Sequence, residues 1–183
     1  NHILKLPKKD NSIKAIIVYP MNALINSQEE EIRKFADKYG DDFPITFAKY
    51  TGQESREDRE RIKDNPPDII LTNYMMLELI MTRHTEAWIR KNIVDNLSFL
   101  VFDELHTYRG RQGSDVSYLI RRIRNLVNSD LVCIGTSATM STEGDREERK
   151  KAVADVAETI FGEKFGVDQI IGEYLVRTAN WKG

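Results

Sequence analysis

A single cysteine, Cys133, is present in 183 residues, so neither an intramolecular disulfide nor a CxxC zinc site can form. A reducing, cytoplasmic (intracellular) compartment is the expectation for such a chain. Glycine and proline are sparse, at 10 and 5 positions, which excludes collagen-like and low-complexity classes. Neither sign of charge is in large excess: 27 Lys+Arg stand against 29 Asp+Glu, a formal net charge of -2. Any nucleic-acid contact must therefore be local, not spread over a uniformly basic surface. Long apolar runs are missing too. The longest, at 15–18 and 99–102, are strand-sized and far short of the roughly 18 residues that span a bilayer, so no membrane partner is expected. The first residues lack both an initiator Met and the order of a signal peptide, so the sequence reads as a fragment.

What is there suits one globular domain. Apolar residues make up 40% and charged residues 31%, and a chain of this length buries roughly 70% of its unfolded surface without help from disulfides or a structural metal. Residues 13–19 form a β-branched run ending at Pro20, and Asn22 then reads as a helix N-cap. The following helix carries Leu24, Ile25, Gln28, Ile32, Phe35, Ala36 and Tyr39 on one face and closes at Gly40. Residues 45–50 read as a strand, and 56–64 as a charged, solvated helix with Ile62 its one large apolar member. Residues 68–71 are a third strand, ending at Thr72 and Asn73, which can cap a helix bearing Tyr74, Leu77, Ile80 and Met81. A helix near 86–92 leads to a strand at 97–102. After the polar stretch 103–113, with Gly110 and Gly113 in a loop, a helix carries Val116, Leu119, Ile120, Ile123, Leu126 and Val127. A strand at 131–135, with Cys133 as core, and a helix at 146–161 burying Val153, Val156, Ala157, Ile160 and Phe161 complete the core of residues 13–162; Gly162 caps that helix. Residues 163–183 are a tail.

Strands alternating with helices, and strands that are continuously apolar, predict a parallel sheet covered on both faces. In such sheets ligands sit beyond the carboxyl ends of the strands. That rule selects Pro20 to Leu24, Thr51-Gly52, Thr72-Asn73, Asp103-Glu104-Leu105-His106 and Thr136-Ser137-Ala138-Thr139. Asp103-Glu104 is the sharpest. Two carboxylates at the end of a buried apolar strand are costly to desolvate unless a cation such as hydrated Mg²⁺ is near. One acid can hold the metal while the next orients or deprotonates a water attacking a phosphoryl group. Two solvated acids at a strand end are the plainer alternative for the dipeptide alone.

The ordered set is more specific than its parts. Asp103-Glu104-Leu105-His106 resembles the DExH box, motif II of superfamily 2 helicases, and Ser137-Ala138-Thr139 resembles motif III. The segment from Tyr19 through Pro20, Asn22, Ala23 and Leu24 to Gln28 resembles motif Ia, Thr51-Gly52 the small motif that follows it, and Thr72-Asn73 motif Ib. The stretch from Phe102 to Gly110, with Gly113-Ser114 and Arg121-Arg122, is similar to the RecQ4-like bacterial and fungal DNA-repair helicases and to related phage-defence helicases. The resemblance spans residues 13–177. It implies an α/β, RecA-like P-loop NTPase-type fold, with residues 1–183 as one helicase ATP-binding domain fragment whose tail leads toward a second RecA-like motor domain.

By the same resemblance, Asp103 is the Mg²⁺ partner and Glu104 the base for ATP hydrolysis, while His106 couples the nucleotide site to Ser137 and Thr139. Asn22, Ala23, Gly52, Thr72 and Asn73, with Pro20 and Thr51, would position a nucleic-acid backbone without reading bases, and DNA is the expected strand. Arg109 could contact DNA or a domain partner, or stand in a solvated loop. Arg121, Arg122 and Arg124 read as a solvated rim. No Gly-x-x-x-x-Gly-Lys-Ser/Thr loop occurs in the sequence, so the fold is expected to lack its first strand and P-loop, with motif I upstream and little ATP hydrolysis by this piece alone. The rival expectation is a non-catalytic RecA-like module that binds nucleic acid or protein.

Overall fold

A computed structural model describes residues 11–40, 43–137 and 146–172. Its frame is a five-stranded sheet in which every pairing is parallel. The strands are β1 (Ala15–Tyr19), β2 (Phe47–Lys49), β3 (Ile69–Asn73), β4 (Phe99–Phe102) and β5 (Val132–Gly135), in the spatial order β2-β3-β1-β4-β5. The helices are α1 (Asn22–Tyr39), α2 (Arg56–Asp64), α3 (Tyr74–Thr82), α4 (Ala87–Asn96), α5 (Gly110–Leu126) and α6 (Arg146–Phe161). No helix among the described residues is long and apolar enough to cross a membrane.

The register explains why the strands are apolar throughout. Ile16 and Val18 of β1, Ile70 of β3, and Leu100 and Phe102 of β4 are all fully buried on one face, in the large core shared with α3, α4, α5 and α6. Each such side chain contributes roughly 1.5–3 kcal/mol by leaving water. The alternate residues Ile17, Tyr19, Phe47, Ile69 and Leu71 face the other way and pack with Leu24, Ile25 and Ile32 of α1. Both faces carry helices, as the alternation predicted. On the α1 side the cover stops short: Val132 and Ile134 of β5 are 48% and 41% exposed, while Cys133, in register with Leu100, packs partly buried against the large core on the other face.

Three helical faces differ from the sequence pattern. In α1, Ile25 and Glu29 are buried while Gln28, Phe35 and Tyr39 are exposed. A helix of 18 residues runs about 27 Å, whereas a strand of 5 residues covers about 17 Å, so the far end of α1 overruns the sheet. Phe35 and Tyr39 instead meet Phe43, with ring centroids 6.1 and 5.7 Å away. Glu29 is accepted inside because Arg33 and Lys49 reach it at 2.6 and 3.2 Å. In α6, Ala157, Ile160 and Phe161 are buried as expected, joined by Ala154, while Val153 is only partly buried and Val156 is exposed. In α5 the helix already begins at Gly110, so Gly110 and Gly113 are helical and not loop. Gly113 lies so close to the backbone of Tyr108 that a Cβ would stand 2.7 Å from Tyr108 O.

The opposite, amino edge of the sheet is tied by one residue. Asp68 O accepts from the amides of Lys14 and Ala15, and Asp68 Oδ1 meets Lys14 Nζ at 2.5 Å. Asp68 Oδ2 accepts from Thr46 N and Thr46 Oγ1 at 2.9 and 3.0 Å. Burial alone would push this carboxyl group up, but the Lys14 and Thr46 bonds outweigh it and hold it below the usual carboxylate range. Of the α5 arginines expected to form a solvated rim, Arg121 is exposed, but Arg122 and Arg124 are not free. Arg122 donates to Glu78 of α3 at 2.8 Å, and Arg124 donates to Phe161 O at 3.0 Å and pairs with Glu163.

Candidate functional site at the carboxyl edge

After β1 the chain turns toward β2 on one side of the sheet, and after β4 it turns toward β5 on the other. The two loops diverge and leave a crevice between β1 and β4, the place where open parallel sheets bind ligands. Asp103 stands there. Its amide donates to Val18 O at 2.9 Å, which continues the β1–β4 ladder by one bond, and its carboxylate accepts from the Thr136 hydroxyl at the end of β5.

Glu104 then leaves the strand direction abruptly. With φ 54° and ψ 53° it is the one non-glycine with positive φ among the described residues, a conformation that costs about 1–3 kcal/mol and persists where surrounding bonds over-determine it. Those bonds come from β5: Leu105 N donates to Thr136 O at 2.8 Å, Thr136 N to Phe102 O at 3.0 Å, and Glu104 N to Thr136 Oγ1 at 3.4 Å. The turn needs Gly135 beside it, because a Cβ there would fall onto the Leu105 side chain.

A short 3-10 turn, Leu105–Thr107, follows and places His106 over the end of β5. His106 Nδ1 is 2.9 Å from Ser137 Oγ and 3.0 Å from Glu104 Oε2. The second is a close approach and not a hydrogen bond, for Glu104 Oε2 is buried without a hydrogen-bond partner. Two phenols border the acids. Burial, with the charge of Asp103 added, pushes Tyr19 up to about 12 and Tyr108 well above the usual range, so both stay protonated at neutral pH. The Tyr108 hydroxyl is buried and has no partner.

Among the described residues no three His, Cys, Asp or Glu side chains gather to cage a metal. The donor set fits a hydrated Mg²⁺, which keeps several waters and takes only one or two carboxylates. Asp103 at the strand end, and the Glu104 carboxylate, whose side chain is 32% accessible, are the groups such an ion and its waters would meet.

The other candidates share this edge. Asn22 is the first residue of α1 and not its cap; Met21 holds the cap position without a side-chain bond. Asn22 Oδ1 instead accepts from Asn73 Nδ2 at 2.7 Å, while Asn73 Oδ1 caps α3 by accepting from Met76 N at 2.7 Å. Pro20, Asn22 and exposed Ala23 therefore lie at a helix N-terminus whose first amides point out of the sheet edge. Thr51 and Gly52 follow β2 in a turn, Gly52 with φ +89°. Thr72 is a correction: it is fully buried and donates its hydroxyl to Tyr50 O at 2.6 Å, so it supports the Thr51-Gly52 turn and has no surface for a phosphate. Arg109 is exposed just before α5, beside a cleft of about 580 Å³ lined also by His106, Tyr118 and Arg121. Ala138 and Thr139 lie outside the described residues. Sequence reasoning placed Thr136 among the strand-end polar residues but gave it no role of its own; the structure ties it to Asp103 and to the Glu104 amide.

The sequence pattern of the DEAD/DEAH box helicases matches residues 1–146. The chain belongs to the DEAD/DEAH box helicase family. This family member is 33% identical over 150 residues to the uncharacterized ATP-dependent helicase YprA of Bacillus subtilis, a match covering 80% of the chain and 19% of that protein. It is 28% identical over 139 residues to the ATP-dependent helicase HRQ1 of Saccharomyces cerevisiae, covering 73% of the chain and 13% of that protein. Among solved structures, the DUF1998 helicase MrfA bound to DNA and AMPPNP superposes with a TM-score of 0.65 at 29% identity, over 88% of the chain and 21% of MrfA. The chain thus spans about a fifth or less of the length of these relatives. The fold is that of a RecA-like, superfamily 2 helicase motor domain.

Proposed function

We propose that this DEAD/DEAH box domain is the first of two motor domains in an ATP-dependent DNA helicase or translocase. The observation that carries the reading is the gathering of Asp103, Glu104, Thr136, His106 and Ser137 at the β1–β4 crevice, on the same edge as the Thr51-Gly52 turn and the start of α1. Intact acids in that arrangement argue for a motor and against a purely binding module.

ATP supplies the phosphoanhydride bond whose cleavage drives movement, and Mg²⁺ would offset charge on its phosphates. Asp103, its carboxylate fixed by the Thr136 hydroxyl, would hold the ion. Glu104 takes the proton of the attacking water at its carboxylate, part of which is open to the crevice. His106 and Ser137, with Thr139, carry the state of this pocket toward the second motor domain. Tyr19 and Tyr108 remain neutral and keep the pocket closed on its sheet side. Asn22, Ala23, Thr51, Gly52 and Asn73 position the strand through amides and short side chains, and Arg109 adds a cation at the rim. Such contacts suit a motor that moves along any sequence.

DNA is the expected strand because MrfA, at 29% identity, is seen bound to DNA. The test is equilibrium binding of labelled single-stranded DNA and RNA of equal length by the full-length protein. Tighter binding of DNA is expected, with affinity falling as salt rises. Equal or tighter binding of RNA would overturn the DNA assignment.

A further inference from the structure

The Thr51-Gly52 turn already holds an anion. Thr51 N donates to both Glu54 carboxylate oxygens at 2.9 Å, Thr51 Oγ1 donates to Oε1 at 2.7 Å, and Gly52 N donates to Oε2 at 2.8 Å. Three donors from two successive residues, in a turn made concave by the positive φ of Gly52, form an anion nest of the kind that receives phosphate oxygens. A phosphate cannot use those donors while the carboxylate does.

Beside the nest stands Arg59. Its guanidinium donates to Gly52 O at 2.7 Å and lies over the Tyr50 ring, 6.0 Å from the centroid. It forms no ion pair among the described residues, and its Nε is buried without a hydrogen-bond partner. A cation with a spare donor next to an occupied anion seat is a poor arrangement for stability alone, since the Glu54 charge is satisfied by the turn. It suits an anion bulkier than a carboxylate. Glu54 also has somewhere to go, because it lines a groove of about 750 Å³ between α1 and α2 that contains Lys49 and Arg61.

We propose that Glu54 is an internal substitute for a nucleic-acid phosphate: a backbone phosphate of the bound strand displaces it from the Thr51-Gly52 nest and is met there by Arg59. The proposal rests on the reading of Thr51 and Gly52 as strand contacts and adds two residues to it. Glu54 lowers the affinity of the empty site and favours release of the strand, and Arg59 raises the affinity of the filled one. Charge-assisted bonds to amides are roughly twice as strong as neutral ones, and both Glu54 oxygens accept from the turn, so a carboxamide, with one acceptor oxygen in place of two, is a weaker competitor.

The experiment is titration of labelled oligo(dT) with the full-length protein, by fluorescence anisotropy, for the wild type and for Glu54→Gln, Arg59→Ala and Glu57→Gln, with thermal midpoints measured alongside. Glu57 is exposed in the first turn of α2 and outside the nest, so it reports the effect of removing one nearby negative charge. Glu54→Gln is expected to bind roughly three- to tenfold tighter, Arg59→Ala weaker by a similar factor, and Glu57→Gln within about twofold of wild type. A Glu54→Gln protein of unchanged melting that binds no tighter, or no tighter than Glu57→Gln, would overturn the exchange and make Glu54 a fixed brace of the turn. If Glu54→Gln melts lower, Arg59→Ala decides: unchanged affinity there overturns the proposal. A wild type that binds no nucleic acid would sink the strand-contact reading itself, a different outcome from either.

Discussion

Replacing Glu104 by Gln in the full-length protein is expected to lower ATP turnover by about 10²–10⁴-fold, the usual contribution of a positioned general base. Single-stranded DNA binding should be nearly unchanged. The substitution is nearly isosteric, and none of the bonds that hold the turn comes from the Glu104 carboxylate: they run through the backbone of Leu105 and Thr136 and through the Glu104 amide. Folding should survive. What is lost is the negative charge of the Glu104 carboxylate, a side chain 32% accessible with Oε2 3.0 Å from His106 Nδ1, placed to take a proton from water. Steady-state hydrolysis and DNA binding measured on the same preparation separate the outcomes. Full turnover in the variant would remove Glu104 as the base, and loss of DNA binding with turnover would mean that the turn, not the chemistry, had been damaged.

Asp68→Ala is expected to cost about 2–4 kcal/mol of stability, a little below the roughly 3–5 kcal/mol found when a fully buried pair is broken, since some water reaches both partners. The Lys14 and Asp68 side chains are 11% and 17% accessible. The substitution strands Lys14 Nζ and removes the acceptor shared by Thr46 N and Oγ1. It therefore unties β1, β2 and β3 at the amino edge, far from the acids at the other edge. The pH dependence has a definite sign. The folded-state carboxyl group sits below its ordinary value, so its contribution is complete above the unfolded value of about 3.9 and is lost as pH falls through the lower folded value. Thermal unfolding of wild type and variant at neutral pH should differ by about 5–15 °C, and the gap should narrow at about pH 3. A gap that widens in acid would contradict the assignment.

Much of this was legible from residues because parallel strands leave a strong trace. Short apolar runs without alternation, most of them ended by polar residues, located the strands, and Asn73 was correctly read as a cap because its position just before an apolar helical run admits few other uses. The DExH string marked the crevice for the same reason: acids at the end of Phe99–Phe102 have no place to hide. Other features depend on partners distant in sequence. Asn22 reads as a cap until Asn73, 51 positions later, is seen to take its side chain. Thr72 reads as a phosphate contact until Tyr50 O claims its hydroxyl. Thr136 gains its role from Asp103, 33 positions earlier. The exposure of Phe35 and Tyr39 follows from a helix longer than the strands beneath it, a mismatch that helical periodicity does not report. Gly113 looked like loop because glycine weakens helices, and the close approach of the Tyr108 backbone requires it nonetheless.

The central claim is that one edge of this sheet joins a hydrolytic pocket to a nucleic-acid track. The most direct test is ATP hydrolysis by the full-length protein with and without single-stranded DNA. Hydrolysis that is slow alone and stimulated at least severalfold by DNA is the predicted result. Hydrolysis absent under both conditions, or fully indifferent to nucleic acid, would contradict the account.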